Sequence, residues 1–522
     1  MTELKLHLGH PGLTLLHRAG LAGLWMTLKQ LEQEIPPEKR PGSLSWELTP
    51  RQVQLFWEGN DFEVIDWLLK ESFQLDNGLI ALRGIDSKSM RKDSQVVIHQ
   101  GILGTFLQHA KTRKVIGEQT QSLEIDEDHP PVIIKYKALE SYVHQEFAKN
   151  LCDKNGNWLK QPISIAGWLN PGAVVRHNAF PSDTSFEESP EMAFILLYAP
   201  VSCCYYILRS RLRDQKAQYA LVVPEITDME VYASYRQDPQ LRYAAYQDFH
   251  ASSLGDAGLR FLTYQGIAES AREFKVKRCQ VLTLGVVPWS SQQKSRTDLL
   301  TVEAEYRVCK NYQICKAVLP DRVVVKAKAE EGSFIATSFA REMIAENLAR
   351  GYSWYAGFAE QVNSNEQFKQ LCYERGGLNE MVMKTEMDDR ERWFVQACHE
   401  AIRFTYGRLS QKTQDRGEFT NFDRENIRIR TGLTRCKNAE SFREFITSFW
   451  ARAGRIPTLQ EHWDDLMDLV MDPKEWKKAR DLALLALASY KGKERQERQE
   501  ELQDELDEDD VDLIVLAELE ED

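Results

Sequence analysis

The sequence offers little with which to build a covalent or metal-based framework. Its nine cysteines are odd in number and scattered along the chain, and they include no CxxC pair. Cys309 and Cys315 stand apart from other candidate ligands, which argues against a tetrahedral zinc site. We therefore expect buried free thiols in a reducing compartment, with no metal and no other cofactor.

Targeting signals are also missing. No stretch reaches the roughly 20 consecutive apolar residues that a membrane span needs. The N-terminal sequence MTELKLHLGHPG lacks the basic and then apolar pattern of a signal peptide. We expect a cytoplasmic protein without a membrane partner.

The motifs of several enzyme classes are absent. The sequence has no GxxxxGK[ST] loop, no GxSxG elbow, no HExxH pair and no EF-hand loop. This excludes P-loop ATPases, α/β-hydrolases and zinc proteases of the usual types. Asp128-His129 has the reverse order of the His-Asp doublet found in metal phosphohydrolases. We expect no catalytic residues, and an enzyme with an unrecognised site is the alternative.

Charge is present in abundance but is unevenly distributed. Residues 494–522 contain 15 Asp or Glu and 2 Arg, so their net charge of -13 equals that of the whole 522-residue chain. Residues 392–455 contain 13 Lys or Arg against 7 Asp or Glu. A basic segment therefore lies upstream of an acidic tail, and a tail of this composition is typically a solvated extension.

Hydrophobic periodicity predicts an α+β fold. Residues 13–34 and 442–453 repeat apolar side chains at helical spacing. β-Branched or aromatic runs predict strands, as in PVIIKYK, AFILLYAPVSCCYYIL, YALVVPEI, KVKRCQVLTLGVV and DLLTVEAEYRV. From Ser333 onward the pattern is almost wholly helical, which indicates a helical bundle after a mixed strand and helix body.

These patterns suggest domain boundaries. The expected segments are an N-terminal mixed α/β region at 1–129, a strand-rich α+β region at 130–332, a helical connector at 333–380, a C-terminal helical bundle at 381–493 and an acidic, disordered tail at 494–522.

Three polar segments combine cations with amide or aromatic groups, the types that contact phosphates and base edges. The first is the polar loop with Arg83, Lys88, Arg91 and Lys92; the second is WLNPGAVVRHNAF, with Asn170, Arg176, His177 and Asn178; the third is PWSSQQKSRTD, with Gln292, Gln293, Lys294 and Arg296 between two predicted strands. Each alone is also what an ordinary surface loop looks like.

The predicted bundle adds a stronger basic cluster. Arg424, Arg428, Arg430 and Arg435 concentrate in RENIRIRTGLTRCK, with Arg403, Arg408, Arg452 and Arg455 nearby in sequence. Arginine predominates over lysine, which suits bidentate phosphate contacts. We interpret this segment as a candidate nucleic-acid surface, and a solvated helical face is the alternative.

Several stretches resemble a known family. They are LHRAGLAGLW near the N-terminus, ALVVPEITDMEVYA, IAENLARGYSWYAGF, and the helical end from FREFITSFWARAGRIPTLQEHWDDL to ARDLALLALASY. These stretches are similar to the large subunit of type I CRISPR Cascade complexes, in the myxan-type branch. The matched stretches carry no nucleic-acid contact residues, so the candidate sites above rest on charge and loop context.

The resemblance implies a non-catalytic subunit of an RNA-guided DNA-binding complex. Such a subunit contacts the 5′ end of the guide RNA, reads a short motif in the flanking duplex, supports strand separation and recruits an effector. The implied partners are guide RNA, double-stranded target DNA and its displaced strand, the Cascade backbone and guide-end subunits, a small subunit, and either an effector nuclease-helicase or a transposition factor. The alternative is a protein-protein adaptor subunit without direct nucleic-acid contact.

An internal translation start is one source of the small subunit. Met381, Met383 and Met387 stand just before the predicted bundle, and the preceding Arg375-Gly376-Gly377 is compatible with a ribosome-binding sequence in its codons. The same methionines also suit ordinary positions in a helical region. In the tail, Val511 and Leu513–Leu516 form an apolar insert that suits a short docking motif, whereas the tail's charge suits shielding of the basic bundle.

Overall fold

The protein is described by a computed structural model that covers residues 1–171, 186–209, 218–264, 276–289, 292–326, 332–415, 420 and 422–492. Helix accounts for 54% and strand for 21% of it, which confirms the expected α+β class. The acidic tail and residues 172–185 lie outside the described residues.

The described strands all lie before Thr337. In chain order they are β1 Thr2–His7, β2 Ser45–Thr49, β3 Gln52–Trp57, β4 Phe73–Asp76, β5 Leu79–Leu82, β6 Arg113–Leu123, β7 Val132–Tyr142, β8 Ile163–Ile165, β9 Phe186–Glu188, β10 Cys204–Leu208, β11 Gln218–Pro224, β12 His250–Ala251, β13 Arg278–Trp289, β14 Gln292–Glu303, β15 Arg322–Val325 and β16 Ser333–Ala336. They pair into sheets of order β1-β3-β2, β12-β10-β11-β13-β14 and β15-β16-β7-β6, with two-stranded sheets β4-β5 and β8-β9.

The described helices are spread over the whole chain. Those before residue 320 are α1 Leu15–Glu34, α2 Asp61–Ser72, α3 Lys92–Gly104, α4 Ala148–Leu151, α5 Pro190–Leu197, α6 Ala199–Ser202, α7 Met229–Arg236, α8 Pro239–Arg242, α9 Leu254–Thr263 and α10 Tyr306–Val318. Those that follow are α11 Phe339–Ala349, α12 Phe358–Gln361, α13 Asn365–Tyr373, α14 Arg375–Lys384, α15 Asp389–Gln414, α16 Phe422–Arg435, α17 Ala439–Ala453, α18 Pro457–Glu461, α19 Trp463–Met471 and α20 Trp476–Ser489.

Contacts within the chain define two compact units. The first comprises Met1–Glu305 and Val325–Ile335, and the second comprises Tyr306–Val324 and the described residues from Ala336 onward. The first unit therefore holds most of the strands, whereas the second is almost wholly helical, as the sequence pattern predicts.

Helix α1 is the central helix of the first unit. Thr14 caps it by accepting a hydrogen bond from the backbone N–H of His17 at 3.3 Å. Its two glycines face the backbone of α5: a Cβ at Gly20 would lie 2.2 Å from the carbonyl oxygen of Ile195, and one at Gly23 would lie 2.1 Å from that of Tyr198. Only glycine permits so close a crossing, which explains why the AGLAG sequence has glycine at both positions.

The second unit packs its helices around α20. Residues 479–489 of α20 are all buried, and α20 contacts α14, α15 and α16. The carboxylate of Asp481 accepts hydrogen bonds from the backbone N–H groups of Gly357 at 2.7 Å and Ala359 at 3.0 Å. These bonds tie the start of α12 to the core helix and satisfy donors that would otherwise be buried without partners.

One predicted strand is wrong in its first half. The run AFILLYAPVSCCYYIL forms α5 and α6 before β10 begins at Cys204. Pro190 occupies the first turn of α5, and Ser189 caps it by accepting from the N–H of Met192 at 3.3 Å. Because α5 is buried almost all round, its sequence is a continuous apolar run, which periodicity alone does not distinguish from a buried strand.

Other boundaries differ in smaller ways. The predicted strand DLLTVEAEYRV ends at Glu303, and its last residues begin α10 at Tyr306. In the helical part after Ser333, residues 458–470 form two helices, α18 and α19, which meet at His462.

Candidate nucleic-acid interface

The candidate interface lies on α16 and α17 of the second unit. Helix α16 buries Ile429 and Leu433, which places Arg424, Arg428 and Arg435 together on its opposite, exposed face. Asp423 and Glu425 in its first turn and Arg435 in its last turn match the polarity of the helix dipole. The helix is therefore amphipathic with an arginine-rich outer face.

Helix α17 provides the other side. Asn438 caps it by accepting from the N–H of Ser441 at 2.8 Å, and it ends at Gly454, whose φ is +87°. Phe442, Ile446 and Phe449 form its buried stripe. Because these three residues face the core, Phe445 is half-buried and Arg452 is exposed at the edge of the stripe.

Between the two helices is an open cavity of about 340 Å³. Arg428 and Arg435 from α16 and Arg452 from α17 line it together with the ring of Phe445. At Gly432 a Cβ would lie 2.2 Å from Cε2 of Phe445, so the missing side chain is what lets the ring lie against the α16 backbone. The cavity thus combines three guanidinium groups with one aromatic ring.

The three arginines are held loosely. Arg428, with 58% of its side chain exposed, forms an ion pair of 2.6 Å with Glu425 one turn earlier. The Nε of Arg452 donates to the carbonyl oxygen of Ser448 at 3.2 Å. Among the residues that the structure describes, none forms a hydrogen bond or ion pair with the Arg435 side chain. Exposed guanidinium groups with few partners are suited to bind phosphate.

Arg430 is directed the other way. It is 7% exposed, and its NH2 group donates to Oδ1 of Asn365 at 2.6 Å. Burial lowers the pKa of this guanidinium. Arg430 therefore lies inside the unit. Residues two apart on a helix point in different directions, so Arg428 faces outward and Arg430 faces inward.

The cations of the first polar segment also differ in their exposure to solvent. Arg83 is only 12% exposed and forms ion pairs with Glu34 and Glu71, while its Nε donates to the Glu71 carbonyl oxygen at 2.7 Å. Burial lowers the pKa of Arg83. The segment is less loop-like than expected, because it folds into two 3-10 turns and α3 begins at Lys92.

The remaining cations of that segment stay near the surface. Lys88 is exposed and donates to Oε1 of Gln74 at 2.6 Å, and Lys92 donates to Oε1 of Gln95 at 3.3 Å. Arg91, 43% exposed, pairs with Asp93 at 3.1 Å. They form a modest basic patch on the first unit.

Two other predicted segments are placed only in part. Asn170 is half-buried, and Arg176, His177 and Asn178 lie outside the described residues. The third segment is not a loop: β13 and β14 pair as far as Trp289 and Gln292, so Gln292, Gln293, Lys294 and Arg296 lie on strand β14 at the end of a long hairpin. The polar composition suggested a loop, whereas the antiparallel pairing continues through it.

Sequence reasoning missed two residues of the cavity. Phe445 belonged to the apolar stripe of α17 in the sequence pattern, and Arg452 was noted only as a neighbour in sequence. The available signal was helical spacing, because Phe445 and Arg452 are seven residues apart and share a face. Nothing in the sequence indicated that this face would lie beside the arginines of α16.

Other chemical sites are sparse in the described part of the chain. No group of three or more His, Cys, Asp or Glu suited to a metal ion occurs there. The nine cysteines are free, and all but Cys309 and Cys372 are buried. None of the described helices is long and apolar enough to cross a membrane.

Comparison with known proteins agrees with this architecture. The DevT N-terminal domain matches residues 5–197, and the DevT C-terminal domain matches residues 383–514, which includes the arginine-lined cavity. A curated relative is CRISPR-associated protein Cas8a1/Csx13 of Myxococcus xanthus (strain DK1622). It is 29% identical over 524 residues, which cover 94% of this chain and 89% of the relative.

These matches confirm the resemblance to the large subunits of type I CRISPR Cascade complexes. Within that class, the two domain matches are to DevT, and they fit the myxan-type branch.

The stretches that carried the resemblance have structural roles. Gly20 and Gly23 of LHRAGLAGLW permit the crossing of α1 with α5. Asp228 of ALVVPEITDMEVYA caps α7 by accepting from the N–H of Val231 at 2.9 Å. Asn347 of IAENLARGYSWYAGF donates to the carbonyl oxygens of Trp354 at 2.9 Å and Ala356 at 2.8 Å, which fixes the turn after α11. These three stretches lie outside the candidate interface, whereas the helical end beginning FREFITSFWAR contains Phe445 and Arg452, which line the cavity.

Proposed function

We propose that this chain is a non-catalytic large subunit of an RNA-guided DNA-binding complex, in which the arginine face of α16 and α17 contacts the DNA during strand separation. The observation that carries the proposal is the convergence of Arg428, Arg435 and Arg452 from two helices on one exposed cavity. Neutralising phosphates with guanidinium groups is the main source of sequence-independent affinity for nucleic acid.

We assign the contacts with the guide 5′ end and the flanking DNA motif to the first unit. Its candidates are Lys88, Arg91, Lys92, Asn170, Arg176, His177, Asn178, Gln292, Gln293, Lys294 and Arg296. Amide and guanidinium groups are the side chains that read base edges in a duplex. Arg83 and Arg430 are left out because their side chains are buried in ion-paired or hydrogen-bonded positions.

The test uses the assembled, guide-loaded complex and a matched DNA target in mobility-shift titrations over a range of salt concentrations. The triple variant Arg428→Ala, Arg435→Ala and Arg452→Ala should bind more weakly. The slope of log affinity against log salt should fall in magnitude by about 2 to 3, because each lost phosphate contact removes roughly 0.7 to 0.9.

Arg350→Ala is the matched control. Arg350 lies in the same unit, is 47% exposed and pairs with Glu346 one turn earlier, as Arg428 pairs with Glu425. Its removal should leave both the affinity and the salt slope unchanged. Equal behaviour of the triple variant and the control would contradict a DNA-contacting role for this face.

A protein-protein adaptor is the second candidate, and one observation favours it. The DevT C-terminal domain match continues to residue 514 and so takes in most of the acidic tail and the first part of its apolar insert. Deletion of residues 494–522 separates the two roles of the tail. Shielding predicts tighter non-specific DNA binding after deletion, whereas docking predicts normal DNA binding with loss of the effector from nuclease-treated pull-downs.

A further inference from the structure

The cavity between α16 and α17 has a composition that a merely solvated helical face does not require. Charged side chains on such a face spread into water, but here three arginines from two helices surround one aromatic ring. None of the described residues that line the cavity is acidic. A phosphate-bearing ligand with a flat apolar part would meet complementary groups at every point.

The ring of Phe445 packs against two neighbours, Gly432 and Phe449. Gly432 of α16 lies against one side of the ring. Because Gly432 has no side chain, the ring can approach the helix backbone there. The ring of Phe449 lies parallel to that of Phe445, with an interplanar angle of 6° and 6.3 Å between centroids. A packed, half-exposed ring offers a stacking surface at a small cost in conformational entropy when a ligand binds.

The size of the cavity limits the ligand. A volume of about 340 Å³ is near the lower end of ligand pockets, which start at roughly 300 Å³. Arg428 and Arg435 are separated by two helical turns, or about 10 Å along the axis. This spacing suits phosphates on both sides of one inserted nucleotide, whereas the stacked bases of a duplex are not free to reach an aromatic ring.

We propose that this cavity binds one unpaired nucleotide of a single strand, with its base stacked on Phe445 and its flanking phosphates held by Arg428, Arg435 and Arg452. The inference rests on the function proposed above and names the ligand of the same face. It assigns to Phe445 a binding role that the arginines alone do not supply, namely contact with a base.

The test measures fluorescence anisotropy of the full-length chain with a labelled 12-residue oligothymidylate. A second probe is the same strand with abasic sites in place of every thymine. The wild-type chain should bind the abasic strand about fivefold or more weakly, since stacking on an aromatic ring contributes measurably to single-strand affinity. This comparison needs no substitution and so does not depend on the folding of a variant.

Phe445→Leu should weaken binding to oligothymidylate to a similar extent and leave binding to the abasic strand unchanged. Phe445→Tyr, which keeps a ring, should bind as the wild type does. Phe404→Leu is the matched control, because Phe404 is 39% exposed on α15 and does not line the cavity. The arginine triple variant should lose affinity for both probes.

Other outcomes have distinct meanings. If Phe445→Leu has no effect while the arginine triple variant binds weakly, the base site is overturned and the proposed DNA-contacting face stands. If both variants bind normally, both proposals fail. Equal competition by a blunt duplex of the same length overturns the preference for an unpaired base. Full displacement by thymidine monophosphate at the same nucleotide concentration indicates a free nucleotide as the ligand and overturns the single-strand assignment.

Discussion

The two units bury different sets of ionisable groups in their interiors. In the first unit, His99 accepts from the N–H of Ile80 at 3.1 Å and donates to the carbonyl oxygen of Lys137 at 2.9 Å, which fixes the neutral ring. Burial lowers the pKa of His99 to about 4 and that of His144 to about 3. In the second unit, burial instead raises the pKa of Asp481 to about 6.

The comparison teaches that the same fall in pH acts with different sign on a buried histidine and on a buried carboxylate. A buried neutral histidine opposes folding at acidic pH, because the unfolded chain binds its proton first. A buried carboxylate with a raised pKa does the reverse, because the folded chain binds the proton first. The second unit also contains His399, with a pKa lowered to about 4 by burial, so its two effects oppose each other.

The largest predicted effect is therefore acid sensitivity of the first unit. As pH falls from 6.5 to 4, His99 and His144 should each remove on the order of 3 kcal/mol of its stability. In the second unit a loss of similar size at His399 should be offset by Asp481 between pH 6 and 4. His17 of the first unit, whose pKa burial also lowers to about 4, should add a loss of the same sign.

Hydrogen exchange of the full chain, corrected for the intrinsic rates at each pH, measures this difference. Protection of α3 should decrease steeply on acidification, while that of α20 should change little. The matched variant is His99→Gln, whose amide can accept from Ile80 and donate to Lys137 without titrating. Parallel losses of protection in both units, or an unchanged pH profile in His99→Gln, would contradict the assignment.

The second prediction concerns how closely helices approach in each unit. Gly23→Ala should destabilise the first unit by about 1 to 3 kcal/mol, because its Cβ would overlap the backbone of Tyr198. Gly407 of α15 is the contrasting site, with no atom within 4 Å of an added Cβ. Gly407→Ala should stabilise its helix by about 0.5 to 1 kcal/mol. Urea denaturation of the full chain measures both, and destabilisation by both substitutions would refute the packing explanation.

The third prediction separates inward from outward arginines. Arg83→Ala in the first unit and Arg430→Ala in the second should each lower the free energy of unfolding by about 1 to 2 kcal/mol, because each removes the packed stem of a largely buried arginine together with its hydrogen bonds. Arg428→Ala should change it by less than about 0.5 kcal/mol. Thermal melts combined with DNA titrations should show stability loss without a DNA-specific defect for the first two. A stability loss in Arg428→Ala equal to that in Arg430→Ala would remove the distinction.

Much of the fold was predictable because its signals are local. The helical spacing over residues 13–34 and 442–453 gave α1 and α17 to within a few residues. The failure at α5 has a physical cause, since a helix buried on all sides loses the amphipathic period. The first residues of β14 were similarly missed, because a polar stretch gives no apolar alternation although its backbone is paired in a hairpin.

The candidate site was predictable only as a region. The excess of arginine over residues 392–455 indicated a candidate interface in the second unit. It did not distinguish Arg428, which is exposed, from Arg430, which is buried two residues later. Side-chain direction depends on which face of α16 the rest of the unit covers, and that is a property of packing between distant segments.

The sequence by itself determined the class of fold, the family, and the separation of a neutral body from an acidic tail, because composition, periodicity and short packing motifs are all local. Only the tertiary structure decided which cations face solvent and that Phe445 lies among three of them. The reason is that the cavity lies between two helices, and packing of the core beneath them sets which sides of these helices face each other. No single segment of the sequence contains that information.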